Sequence, residues 1–266
     1  VALYRRMPEE LTLCVEELVP WFIKKVTWKW EPWVGPKPDE EMAKVCVSFL
    51  ACLLIVNRSK KDLAHFHTFV FHPATLKDDN GKTWAGHASP LGQIEQSWPS
   101  TLRGMQDGED NYCVTIHEFV HMIDYRDRSF ESVPHFDSSS AIREYRAFLK
   151  SEYKDLCKAW EKVSGCAAIR KYATTDKAEF LTCATESFFE NSERLKFLRP
   201  QVYSWMQRIY KMDPHQWAER HQWAERVSLG ELKNIRNYQW DQWDFKTTWD
   251  LSLIHISEPT IRRTIS

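Results

Sequence analysis

Apolar residues recur at helical spacing near the start of the chain. Leu11, Cys14, Leu18, Trp21 and Phe22 follow Pro8-Glu9-Glu10, whose acids suit the first turn of a helix. Residues 28–38 hold too many prolines for a helix and read as a Trp-rich connector. Asp39 suits the cap of a second helix running to about residue 57, apolar on nearly every side and therefore central. Residues 66–71, β-branched and aromatic, predict a strand that stops at Pro73, and residues 92–98 alternate enough for a second. Asp79-Asn80-Gly81 between them is turn chemistry. From Asn111 onward the period is helical, with a loop over residues 126–139 and helices over 140–162, 177–191 and 200–210. The pattern predicts an α+β fold, mainly helical with a small sheet.

The pattern changes after residue 214. The hexamer at residues 215–220 recurs unaltered at 221–226, a local duplication rather than a solenoid, which needs several longer units. Residues 234–249 are polar and Trp-rich without a clean period, and residues 251–266 resemble translated adapter read-through. The expected organisation is one domain over residues 1–214, a Trp-rich extension over 215–250 and a non-native tail over 251–266.

Charge and composition narrow the function classes. Lys and Arg total 36 against 37 acids, a balance without the surplus a general nucleic-acid binder needs. The longest apolar window, residues 45–56, falls short of the ~20 residues of a membrane span. The opening Val1-Ala2-Leu3-Tyr4-Arg5-Arg6 has no apolar signal core. Seven cysteines, none in a CxxC pair, read as buried, reduced thiols of a cytoplasmic protein.

Candidate chemistry concentrates in Val114-Thr115-Ile116-His117-Glu118-Phe119-Val120-His121-Met122-Ile123-Asp124. Histidines four apart share one helix face, so His117 and His121 can reach one ion, while Glu118 is placed beside a water on that ion. Zinc lowers the pKa of such a water towards 7, and the carboxylate can take its proton as the water attacks a peptide carbonyl. With 10 His and 22 Glu, a shuffled chain contains about 0.03 HExxH matches, so chance is a poor account of the motif. The apolar Ile116, Phe119, Val120 and Ile123 put it on a helix packed into a core.

A catalytic zinc needs a third protein ligand. No HxxGxxH continuation follows the motif, and His135, on a Ser/Pro-bearing loop, is a weak candidate for the third ligand; as a fourth ligand it would make a closed structural site. Glu179 and Glu186 are better placed: seven apart, they share a face of an otherwise apolar helix, where unpartnered carboxylates are costly. Residue chemistry does not choose between them. His65, His67 and His72 could suggest a second metal but read better as packed or solvated histidines. Thirteen scattered tryptophans read as packing rather than a ligand platform.

The segment from Ile116 to Asp124, followed by Tyr172-Ala173 and Asp176-Lys177-Ala178-Glu179-Phe180, resembles the Mlc titration factor A family of zinc peptidases. Leu3-Tyr4-Arg5-Arg6, Ala51-Cys52-Leu53-Leu54, Ser97-Trp98, Glu186-Ser187-Phe188-Phe189 and Ile209-Tyr210-Lys211-Met212-Asp213-Pro214 agree with it. The likeness extends in local pattern to the catalytic domain of anthrax lethal factor. It implies a gluzincin-like metallopeptidase with one zinc ion, ligands His117, His121 and Glu179, and Glu118 as general base. It also implies that the Tyr172 hydroxyl meets the developing oxyanion or protonates the leaving amine. Asp124 could orient the outer ring nitrogen of His117, and Glu186 matches a recurrent family acid.

These readings predict a zincin-like cleft with an edge strand at residues 92–98 along which a peptide substrate lies. The resemblance implies cytoplasmic, aminopeptidase-like activity on peptide or protein substrates, with no nucleic-acid or membrane partner. It carries one alternative: family members bind a glucose-responsive transcriptional repressor, and sequestering that repressor would be the working function.

Overall fold

The Asp39 carboxylate accepts the Met42 amide at 2.8 Å, and the helix it starts is buried on nearly every side. The computed structural model describes residues 1–33, 37–77, 81, 83–127, 131–162 and 168–218. Along them run α1 (Glu9–Lys25), β1 (Thr27–Trp30), α2 (Glu40–Ile55), β2 (Thr68–His72), β3 (Leu76–Lys77), β4 (Thr83–Trp84), β5 (Gly86–Ser89) and β6 (Gln93–Ser97). Then follow α3 (Trp98–Gln106), α4 (Val114–Asp124), α5 (Ser139–Lys162), α6 (Lys177–Glu190), α7 (Ser192–Leu198) and α8 (Pro200–Tyr210). The class is α+β, mainly helical. The hexamer repeat beyond residue 218, the Trp-rich stretch and the tail lie outside the described residues, as does most of the Asp79-Asn80-Gly81 turn.

A four-stranded sheet runs in the order β1-β2-β6-β5. β1, β2 and β6 are parallel, and β5 closes the edge antiparallel to β6, pairing Gly86 with Gln96 and Ala88 with Ile94. The strand at residues 92–98 is therefore interior, and the edge is β5, which the sequence pattern did not show. Gly86-His87-Ala88-Ser89 has little β propensity of its own, so its pairing with β6 rather than its composition makes it a strand. β1 likewise occupies part of what read as connector: Trp28 and Trp30 stack on Phe71 with centroids 6.1 and 4.2 Å apart.

The buried stripe of α1 is Thr12, Val15, Val19 and Phe22, one position round from the Leu11, Cys14 and Leu18 stripe, and Cys14 faces solvent. Apolar residues flank both stripes, so periodicity alone could not set the rotation. Trp98 and Pro99 open α3, with the Ser97 side chain as cap. Among the described residues no helix is long and apolar enough to cross a membrane.

The core that fixes α4 is aromatic. Phe119 meets Phe66 at 5.2 Å and Phe22 at 5.6 Å, both edge-on, and lies over Phe69 at 6.2 Å. All four rings are buried, so α1, β2 and α4 share one apolar joint. At the far end of α6, Glu190 is buried and forms no ion pair among the described residues. Burial raises its carboxyl well above the ordinary 4.5, as do the charges of Glu186 and Asp110.

Two outcomes follow from this packing. Phe119→Ala should cost about 3–5 kcal/mol of stability in urea unfolding, the transfer and cavity cost of a buried Phe. A loss under about 1 kcal/mol would show that the joint lies elsewhere. Folding holds Glu190 protonated, whereas the unfolded chain ionises above 4.5, so its burial costs stability increasingly as pH rises from 4.5 towards the folded value. Glu190→Gln should therefore raise the unfolding midpoint at pH 8 by an increment that shrinks to nothing near pH 4. A variant no more stable at pH 8 would contradict this assignment.

Candidate metal centre

α4 begins without a side-chain cap of its own: Cys113 precedes it, and the Cys113 amide donates instead to Glu186 Oε1 on α6 at 2.9 Å. From that start the helical repeat places His117 and His121 one turn apart, with ring centroids separated by 5.0 Å. His117, Glu118 and His121 are buried, while Ile116, Phe119, Val120 and Ile123 pack into the core. The four-residue spacing thus aims both imidazoles the same way, towards α6.

Asp176 caps α6 by accepting the Glu179 amide at 2.9 Å, which sets Glu179 in the first turn opposite those imidazoles. Glu179 Oε2 lies 2.9 Å from His117 Nε2, and Oε1 lies 3.6 Å from His121 Nε2. The three donor atoms all fall within 4.8 Å of one another. Burial pushes the Glu179 carboxyl up, but hydrogen bonds from His117 and His121 outweigh it and hold it well below the usual carboxylate range. The Tyr172 hydroxyl donates to Glu179 Oε1 at 3.2 Å, from a short 3-10 turn at the mouth of the site where the residue is 51% exposed. Partial burial and the Glu179 charge push that hydroxyl up to about 12.

Glu118 lies beside this triangle, with its side chain close against Gly86 of β5. Burial raises its carboxyl, against the opposing charges of His117 and His121. A Cβ at Gly86 would stand 2.9 Å from Glu118 Cγ and Oε1 and 2.8 Å from Val114 Cγ2, so the edge strand can pass over Glu118 only as glycine. Nothing in the alternation of residues 83–89 announced that requirement.

The other nitrogen of His117 faces inward. Nδ1 lies 3.3 Å from Glu186 Oε2, and Arg170 pairs with the same carboxylate. The Arg170 guanidinium in turn lies over the Tyr112 ring, 4.7 Å from its centroid. Glu186, not Asp124, thus holds the place beside the outer nitrogen: Asp124 is two turns further along α4, about 10 Å of helical rise away. Burial would raise Glu186, but the charges of Arg170 and His117 bring its carboxyl below the ordinary value. Arg170 went unread in the sequence because its partner is 16 residues away across two elements.

His135 is exposed, with Nε2 4.0 Å from Asp137, and joins neither donor cluster. His67 bonds Thr68 and the Leu91 carbonyl, and His72 bonds Glu95. Among the described residues the donor groups able to hold an ion are His117-His121-Glu179 and His117-Cys183-Glu186. The first fits a divalent metal: two neutral-capable imidazoles and one carboxylate converge, with an ionisable residue beside them.

The chain is similar in sequence to several known proteins. An uncharacterized protein of Synechocystis sp. is 26% identical over 134 residues, covering 50% of this chain and 47% of its own. Mlc titration factor A of Serratia proteamaculans is 25% identical over 185 residues, and that of Escherichia coli 27% over 181. Those alignments cover 63% and 64% of this chain and 68% of each relative, so the chain spans from about half to two thirds of the proteins it matches. The family description glucose-regulated metallo-peptidase M90 matches residues 1–211, a span that takes in α4, Tyr172, Glu179 and Glu186. The chain belongs to the M90 family of glucose-regulated metallo-peptidases.

Proposed function

We propose that this protein is a zinc-dependent metallopeptidase in which His117, His121 and Glu179 hold the ion, Glu118 is the general base and Tyr172 assists at the oxyanion. The observation that carries the reading is the convergence of the His117, His121 and Glu179 donor atoms within 4.8 Å of one another, with Glu118 buried alongside. When bound there, zinc supplies a Lewis acid that acidifies water towards neutrality and polarises a carbonyl.

The chain's own residues do the remaining work. Glu118 accepts the proton of the attacking water and passes it to the leaving amine, and its burial keeps bulk water from competing for that proton. Tyr172 already presents its hydroxyl at the Glu179 carboxylate, so a modest swing of an exposed ring brings the O–H to a tetrahedral oxygen formed beside it. An extended peptide can pair with the free edge of β5, which runs past Glu118. Aminopeptidase-like action on small substrates, in the cytoplasm, is the finer expectation that the family resemblance supports.

A second reading rests on the relatives named Mlc titration factor A. By that name they titrate a regulator, and this chain would then bind a transcriptional repressor, with hydrolysis secondary. Glu118 separates the two readings, since titration needs no general base.

Zinc content and hydrolysis of a panel of fluorogenic amino-acid amides and longer peptides, read on wild type and Glu118→Gln, test the proposal. One zinc per chain in both is expected, with hydrolysis falling about 10²–10⁴-fold in the variant. Absence of zinc from both would overturn the metal assignment. One zinc in each with no hydrolysis across the panel would transfer the function to repressor binding.

A further inference from the structure

The second donor cluster, His117-Cys183-Glu186, lies behind the first and is wholly buried. It is poorly suited to an ion of its own. Both oxygens of Glu186 are already engaged: Oε1 accepts the Cys113 amide, and Oε2 takes the Arg170 guanidinium and faces His117 Nδ1. A cation is therefore present in the cluster, and it is an arginine. An ion pair drawn into the interior in this way adds little net stability over a well-packed apolar pair, but removing one partner leaves a costly unpaired charge.

That geometry has a direction. An imidazole that gives Nε2 to a metal must carry its proton on Nδ1, and a carboxylate beside Nδ1 selects that tautomer and fixes the ring plane. Glu186 sits there, and through the Cys113 amide it also anchors the first turn of α4, which has no side-chain cap of its own. Arg170 stands two residues before Tyr172 and caps the same 3-10 turn, so its pairing with Glu186 ties that turn to α6. The Tyr112 ring beneath the guanidinium restricts it further.

We infer that Arg170 and Glu186 are positioning residues, a brace that holds His117 in its metal-ligating tautomer and keeps the Tyr172 turn in register with α4. The inference rests on the zinc reading above and adds two residues to it, neither of which touches substrate or ion. Glu190, one turn further along α6 and also buried, lies outside the brace: among the described residues the carboxylates paired with His117 are Glu179 and Glu186. It serves as the internal control.

The test is the zinc dissociation constant of the full chain, read by competition with a chromophoric chelator, alongside thermal unfolding of the same zinc-free samples. Glu186→Gln and Arg170→Met should each weaken zinc binding about 10–100-fold, and Glu190→Gln should leave it within about twofold of wild type. The double variant Arg170→Met/Glu186→Gln leaves no buried charge unpaired, so it should unfold at a higher temperature than Arg170→Met alone while binding zinc as weakly as Glu186→Gln. That split between restored stability and unrestored affinity is what a merely structural pair would not produce. Zinc affinity of Glu186→Gln within about threefold of wild type, or recovery of wild-type affinity in the double variant, would overturn the brace. Wild-type protein that takes up no zinc would overturn the metal reading itself, a failure visible before any variant is made.

Discussion

His117 is held between two carboxylates of one helix, and the arrangement of the chain follows from the need to satisfy both. Glu179 and Glu186 stand two turns apart on α6, one at each nitrogen of the same imidazole. Two negative charges on an apolar helix would be prohibitive to bury unpaired, because each loses its hydration and they repel one another. The structure divides the problem. Glu179 lies in the first turn of α6, near the mouth, where the two imidazoles face it. Glu186 is fully buried and is matched by an arginine, a helix-start amide and a ring nitrogen. α4 and α6 can therefore approach in one rotation only, the one that puts His117 between the pair.

The aromatic joint around Phe119 makes that rotation affordable. The opposite face of α4 must be as apolar as its inner face is polar, and the rings of Phe22, Phe66 and Phe69 supply the surface. Each buried ring contributes on the order of 1.5–3 kcal/mol of transfer free energy, enough to offset the desolvation of the polar face only when several act together. The helix is buried all round for two unlike reasons, core packing outward and charge matching inward.

How much of this was legible depends on the range of the interaction. Local signals held: Asp39 capping α2, the strands at Thr68–His72 and Gln93–Ser97, and the four-residue histidine spacing on a helix. What depends on partners distant in sequence did not show. β5 has no strand composition and exists by pairing with β6, which made an interior strand look like the edge. The stripe of α1 slipped by one position because apolar side chains flank it on both sides. Arg170 carries no periodic or motif signal, and its role appears only when the chain folds back on α6. Even the choice between Glu179 and Glu186 was posed too narrowly. The sequence shows two carboxylates sharing a face and asks which is the ligand, whereas the folded chain puts both on the same histidine in different capacities.

The edge strand places a further constraint on how such a site can vary. Gly86 lies directly over Glu118, so the distance from the Glu118 carboxylate to any peptide paired with β5 would be set by the absence of a Cβ. A side chain there would push β5 outward or displace Glu118, and either movement would shift a bound backbone relative to the Glu118 carboxylate by some tenths of an ångström. Shifts of that size are costly in reactions that depend on near-attack geometry. The glycine is therefore as much a part of the proposed chemistry as the ligands, although it contributes no functional group. Under the proposed function, variation in substrate preference would come from residues flanking it, His87 on the exposed edge and Tyr172 at the mouth, rather than from Gly86 itself.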